Sequence, residues 1–215
     1  MTAGVMKGRH DKETMGMRLG GYKKGIVLAA LLSLAGCVSL GGDTPERLIT
    51  LTADEQAAVG ATASGQAGNA IVVLDPEADR RLDVQRVPVQ VDAATIAYLK
   101  DAIWVERPAR QFRRLLAETI RARSNRVVVE GSDYEVAGTP VVSGRLTQMG
   151  YDAQSQSVVV RFDGQILEET GAVRTRRFES VVSGVQADAA MVAPAMNRAA
   201  NAVAKEVAEW LLAGK

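Results

Sequence analysis

Between Ser157 and Leu167 the sequence reads SVVVRFDGQIL. Val158, Val160, Phe162 and Ile166 fall on one face of a strand, while Arg161, Asp163 and Gln165 fall on the other. A period of two with an apolar and a polar side marks a sheet that is wet on one face only. Such a sheet needs a second layer over its apolar face. The same chain supplies that layer. Pro108 suits the first turn of a helix, and Phe112, Leu115, Leu116, Thr119 and Ile120 recur behind it at steps of three and four. Near the end, Val192, Met196, Ala199, Val203, Val207 and Leu211 form a second apolar stripe with Trp210 beside it. Asn197, Arg198, Asn201, Lys205, Glu206 and Glu209 are expected to face outward from it. Pro194 is awkward inside a helix, so the regular part is expected to begin near it, and Gly214 closes it. The fold expected is α+β: a mostly antiparallel sheet packed by two amphipathic helices, at about 107–122 and 190–213.

The remaining segments fill in that plan. RLITLTA (47–53) is expected to be a first strand, followed by an Ala/Gly/Ser-rich loop, DEQAAVGATASGQAGN, with little to bury. AIVVLDP (70–76) has the β-branched composition of a central strand buried on both faces. Pro88 cannot donate a ladder hydrogen bond, which predicts an edge strand there or a strand end. Ile96–Val105 is expected to be a strand. Four later runs, RVVVEGSDY, TPVVSGRLTQMGYDA, SVVVRFDGQILEE and AVRTRRFESVVSGV, are separated by turn residues and predict an antiparallel meander.

The N-terminal region follows a different logic. Lys23 and Lys24 precede an apolar run of ten residues, Ile26 to Ala35. Crossing a bilayer takes roughly 20 such residues, whereas a secretory signal has a positive start and an apolar stretch of about 7–15. Leu34-Ala35-Gly36-Cys37 resembles the lipobox of bacterial lipoproteins, in which the cysteine sulfur takes a diacylglyceryl group and the chain is cut before it. The alternatives are an ordinary signal peptide that happens to hold a cysteine, or a buried core helix. The lipobox implies a signal peptide at 1–36, a lipidated tether at 37–47 and a domain at 48–215. Met15 or Met17 is an equally serviceable start, because the residues before them are hydrophilic. Each buried methylene adds ~0.8 kcal/mol to membrane binding, so two or three acyl chains on Cys37 would anchor the protein durably. Val38 follows, where an aspartate commonly retains a lipoprotein in the inner membrane, so outer-membrane delivery is expected.

Maturation also limits the chemistry. Residues 1–36 carry six basic and two acidic side chains and the single histidine, His10, which leaves the mature chain a net charge of −3 and no imidazole. A mildly acidic domain is a poor partner for nucleic acid, whose phosphates call for a basic surface. With Cys37 as a thioether, neither a histidine-activated nucleophile nor a His/Cys zinc site can be built. No cofactor and no metal are expected. Carboxylates remain, and Glu168-Glu169 is the most conspicuous pair, but EETG has the composition of a solvated turn. The composition points to a non-enzyme. An envelope hydrolase working with carboxylates alone is the rival. Arg110, Arg113, Arg114, Arg121 and Arg123 form the main basic cluster, either a solvated helix face or a contact for an acidic partner or lipid phosphates.

The lipobox, the early RLITL, the stretch YLKDAIWVERPARQFRRLL and the Ala-rich end NRAANAVAKEVAEWLL occur in that order. Together they resemble the ABC-type transport auxiliary lipoprotein family, the group that includes paraquat-inducible protein C. Trp104, Glu106 and Pro108 are the sharpest match. The small-residue loop from Asp54 to Asn69 departs from the family pattern. The resemblance implies a non-catalytic part of a lipid-transport system, alongside a periplasmic protein of mammalian-cell-entry type, its permease and its ATPase. It implies a lipid anchor at Cys37, a place on the periplasmic side of the outer membrane, and compatibility with a homo-oligomeric ring. Trp104, Glu106, Arg110, Arg113 and Arg114 are the candidate partner contacts. A scaffold lipoprotein for outer-membrane assembly or a lipopolysaccharide translocon is the alternative function.

Overall fold

The computed structural model describes residues 47–65, 70–131 and 138–214. In chain order it contains β1 (Ile71–Val73), β2 (Glu77–Ala78), a single 3-10 turn (Arg80–Leu82), β3 (Arg86–Gln90) and β4 (Ile96–Ile103). There follow α1 (Pro108–Arg123), β5 (Val128–Glu130), β6 (Val141–Asp152), β7 (Ser157–Leu167), β8 (Val173–Ser183) and α2 (Ala189–Ala213). The expected α+β architecture is present, and both helices lie within two residues of their predicted limits.

β6 is the spine of the sheet. On one side it pairs antiparallel with β7, which pairs antiparallel with β8. On its other side it takes three parallel partners in turn: β1 at Val141, β2 at Arg145 and β3 at Tyr151. The chain from Ile71 to Gln90 therefore runs beside β6 as one interrupted strand. The first interruption falls at Asp75-Pro76, where the missing proline N–H cannot join a ladder. β5 lies parallel on β1, and β4 antiparallel on β3.

Two strand expectations need correcting. The run at Val128–Glu130 is not part of the meander; it pairs parallel with β1, because α1 separates β4 from β5 and returns the chain to the start of β1. Pro88 does not sit at an edge. β3 lies between β4 and β6, and the register with β4 shifts between Arg86 and Pro88, which absorbs the lost donor. Gly150 opposite makes the room, since a Cβ there would stand 2.5 Å from the Pro88 carbonyl oxygen and 2.9 Å from its Cγ.

The helices cover one face of the sheet. Val158, Val160, Phe162 and Ile166 of β7 are buried together with Leu146 and Met149 of β6 and Phe178 of β8. Phe112 of α1 meets Phe162 with ring centroids 5.2 Å apart, and Trp210 of α2 meets Phe178 at 5.4 Å. The apolar stripes of both helices are buried as expected. α2 nevertheless begins before Pro194, at Ala189. The Asp188 side chain caps its first turn by accepting from the Ala190 N–H at 2.8 Å, and that fixes the start upstream of the proline. Among the described residues no helix is long and apolar enough to cross a membrane.

Candidate functional surface

The segment just before the sheet is expected to be a strand over 47–53 and then a loop; the strand shrinks to one bridge at Ile49, and the loop is present but tied down as far as Ala57. Only Ile49 pairs like a strand: its N–H donates to the Ile103 carbonyl (2.8 Å) and its carbonyl accepts from the Val105 N–H (2.9 Å). From Leu51 to Ala57 the backbone is held by side chains of both helices. The Leu51 N–H donates to Gln111 Oε1 (2.9 Å), the Thr52 N–H to Asn197 Oδ1 (2.8 Å) and the Asp54 N–H to Asn201 Oδ1 (2.8 Å). Asn201 Nδ2 returns a bond to the Thr52 carbonyl at 2.9 Å, and the Ala57 N–H donates to Glu118 Oε1 at 2.8 Å. Arg123 clamps the Glu55 carboxylate at 2.5 and 2.7 Å and reaches Glu209 at 3.0 Å. The Arg123 hydrogen bond holds the Glu55 carboxyl below its usual pKa.

This strap corrects the expectation that Asn197 and Asn201 simply face water. An Ala-rich segment has few apolar side chains to bury, so helix amides satisfy its backbone instead. Sequence reasoning missed Gln111, Asn197 and Asn201. The available signal was a glutamine or asparagine at the border of each apolar stripe.

The five candidate contact residues separate in space. Trp104 is fully buried, bridged to Ile49, and packs in the core out of reach of any partner. Arg113 turns inward toward Asp75 (3.4 Å) and Glu130 (3.6 Å). Glu106, Arg110 and Arg114 do come together: Glu106 pairs with Arg114 and, at 3.5 Å, with Arg110. The Glu106 carbonyl accepts from Gln111 Nε2 at 2.9 Å, so one glutamine ties this cluster to the strap. Beside it, exposed Arg107 pairs with Asp83 at 3.0 Å, and Leu48 and Val105 are about half exposed. Cys37 lies outside the described residues.

The other polar groups are structural in arrangement. Glu168 and Glu169 sit at the β7–β8 turn, as expected, and pair with Arg174 (2.5 Å) and Arg126 (2.9 Å). On the sheet face away from the helices, Glu77, Arg145, Asp163 and Arg177 line up across β2, β6, β7 and β8 with alternating charge. Arg177 grips Asp163 through two bonds of 2.6 and 2.8 Å, which holds that carboxyl below its usual range. A shallow groove of about 660 Å³ lies along this ladder. Among the described residues no three His, Cys, Asp or Glu side chains converge as a metal site.

The family model for the ABC-type transport auxiliary lipoprotein component matches residues 50–208. The chain belongs to that family. Its members are auxiliary components of ABC-type transport systems, and the match spans the strap, the sheet and nearly all of α2. No curated relative matches the chain at a significant level. Among solved structures, a DUF330-family protein from Xanthomonas campestris shares the fold with a TM-score of 0.56 at 18% identity, covering 79% of this chain and 93% of that one. A crystal structure of an uncharacterized protein superposes with a TM-score of 0.58 at 11% identity, over 70% of this chain and 96% of that one. The PelC dodecamer from Paraburkholderia phytofirmans aligns more loosely, with a TM-score of 0.37 at 12% identity over 68% and 92%.

Proposed function

We propose that this auxiliary lipoprotein is the non-catalytic, lipid-anchored accessory part of a lipid transporter of mammalian-cell-entry type, on the periplasmic side of the outer membrane. The observation that carries the reading is the family match over residues 50–208. Cys37 behind Leu34-Ala35-Gly36 is its lipid attachment point, residues 1–36 are its signal peptide, and residues 37–47 are its tether. Val38 in place of an aspartate favours the outer membrane as the destination. The domain then holds the periplasmic partner of a permease and ATPase that supply the energy. The strap supports a holding role, since a pull on the tether reaches both helices through Gln111, Asn197 and Asn201.

Two measurements test this together. Growth with radioactive palmitate should label the wild-type protein and leave Cys37→Ser unlabelled and soluble. Cross-linking in cells followed by purification should recover the mammalian-cell-entry protein. A labelled protein that never recovers it would refute the mammalian-cell-entry assignment while sparing the anchor.

A further inference from the structure

Exposed arginines precede and follow the bridge that joins Ile49 to Trp104. Arg47 and Leu48 lead into Ile49, which is bonded to Ile103 and Val105 at the end of β4. Arg107, Arg110 and Arg114 follow on the adjoining turn and the first two turns of α1. Their only close carboxylates among the described residues are Asp83, held by Arg107, and Glu106, shared by Arg110 and Arg114. On that turn and helix three positive charges therefore face two negative ones, in a chain whose residues from 37 onward carry a net charge of −3. Leu48 and Val105, 53% and 47% exposed, stand among these arginines.

We propose that this patch, formed by Arg47, Leu48, Val105, Arg107, Arg110 and Arg114, lies flat on the bilayer that holds the anchor. Its guanidinium groups bind the phosphates of anionic phospholipids, and its two aliphatic side chains enter the headgroup boundary. The proposal rests on lipidation of Cys37. Nine residues separate that cysteine from Arg47, and even fully extended they span at most ~36 Å. The strap resists lengthening of this tether, because release past Ile49 breaks in turn the bonds that Leu51, Thr52 and Asp54 make to the helices. The patch is thus the part of the domain kept nearest the lipid. Its ion pairs are solvent-exposed and weak, so each guanidinium can keep or exchange its carboxylate while offering its remaining N–H donors to phosphate. Arginines near an anionic surface and half-exposed aliphatics reinforce one another in this setting.

The test uses the lipidated full-length protein, extracted in detergent and returned to vesicles. Cys37 is the only cysteine in the sequence, and once it is a thioether an introduced thiol labels cleanly. Val105→Cys and, on β8 at the opposite edge of the sheet, Thr175→Cys each receive a polarity-sensitive fluorophore. In phosphatidylethanolamine vesicles containing phosphatidylglycerol, the label at 105 should shift to the blue and be quenched by spin-labelled lipid. The label at 175 should remain wet. Arg110→Glu with Arg114→Glu should cut the quenching at 105 several-fold. Equal wetting of both labels in protein that floats with the vesicles would overturn the orientation and leave the anchor intact. Quenching at 175 instead would also overturn it. Protein that fails to float would overturn the anchor and the orientation together.

Discussion

Replacing Asn201 with alanine isolates the strap's contribution. The Asn201 amide is buried and makes two bonds to the strap, accepting from the Asp54 N–H and donating to the Thr52 carbonyl. Its third bond, to the Asn197 carbonyl, is not counted, because that carbonyl keeps its helical partner. Each strap bond contributes ~1 kcal/mol, and water can reach part of the strap afterwards, so the loss is about 2 kcal/mol. If the strap opens on its own, that is roughly a 30-fold rise in amide exchange around residues 51–54. If it opens only with the whole domain, the loss appears as a fall in Tm of about 4–8 °C. Asn197→Ala removes one exposed bond, to the Thr52 N–H, and should produce about half the effect. Hydrogen exchange followed by mass spectrometry, with thermal unfolding alongside, reads both outcomes. An Asn201→Ala protein with unchanged exchange at 51–54 and unchanged Tm would show that the strap is not held by helix amides.

Three further outcomes follow from the same structure. Trp104→Ala should destabilise the domain by about 3–5 kcal/mol in urea unfolding, because the indole is fully buried; a protein of normal stability that had lost only partner binding would contradict the core placement. Gly150→Ala drives a Cβ into Pro88 and should cost roughly 1–3 kcal/mol, seen as a lowered Tm that a smaller residue at position 88 partly restores. Asp163 is stabilised as the carboxylate by Arg177, so its contribution is present above the ordinary carboxyl pKa of 3.8 and is lost as acid titrates it below that; Arg177→Ala should make stability less pH-dependent in this acid range, by a small amount because the pair is exposed.

The candidate cluster was partly legible. Glu106, Arg110 and Arg114 are spaced by fours, so a helix with its approach turn brings them together. Arg113 is one residue, or about 100°, away from Arg114, and that rotation alone sends it toward Asp75 and Glu130. Trp104 was ambiguous, because a tryptophan at a strand end serves a core or a contact equally well until its neighbours are known. The parallel pairing of β5 was also hidden. Three β-branched residues in a row specify a strand without naming its partner.

Sequence alone determined the α+β class, both helices, the one-sided sheet and the turn at Glu168-Glu169, because each is written in spacing over a few neighbouring residues. The tertiary structure decided where the N-terminal segment goes and which polar residues hold it. Thr52 and Asn197 are 145 positions apart, and Leu51 and Gln111 are 60. A hydrogen bond across such a separation leaves no local period in the sequence. It exists only because packing α1 and α2 on the same face of the sheet brings their amides to one groove.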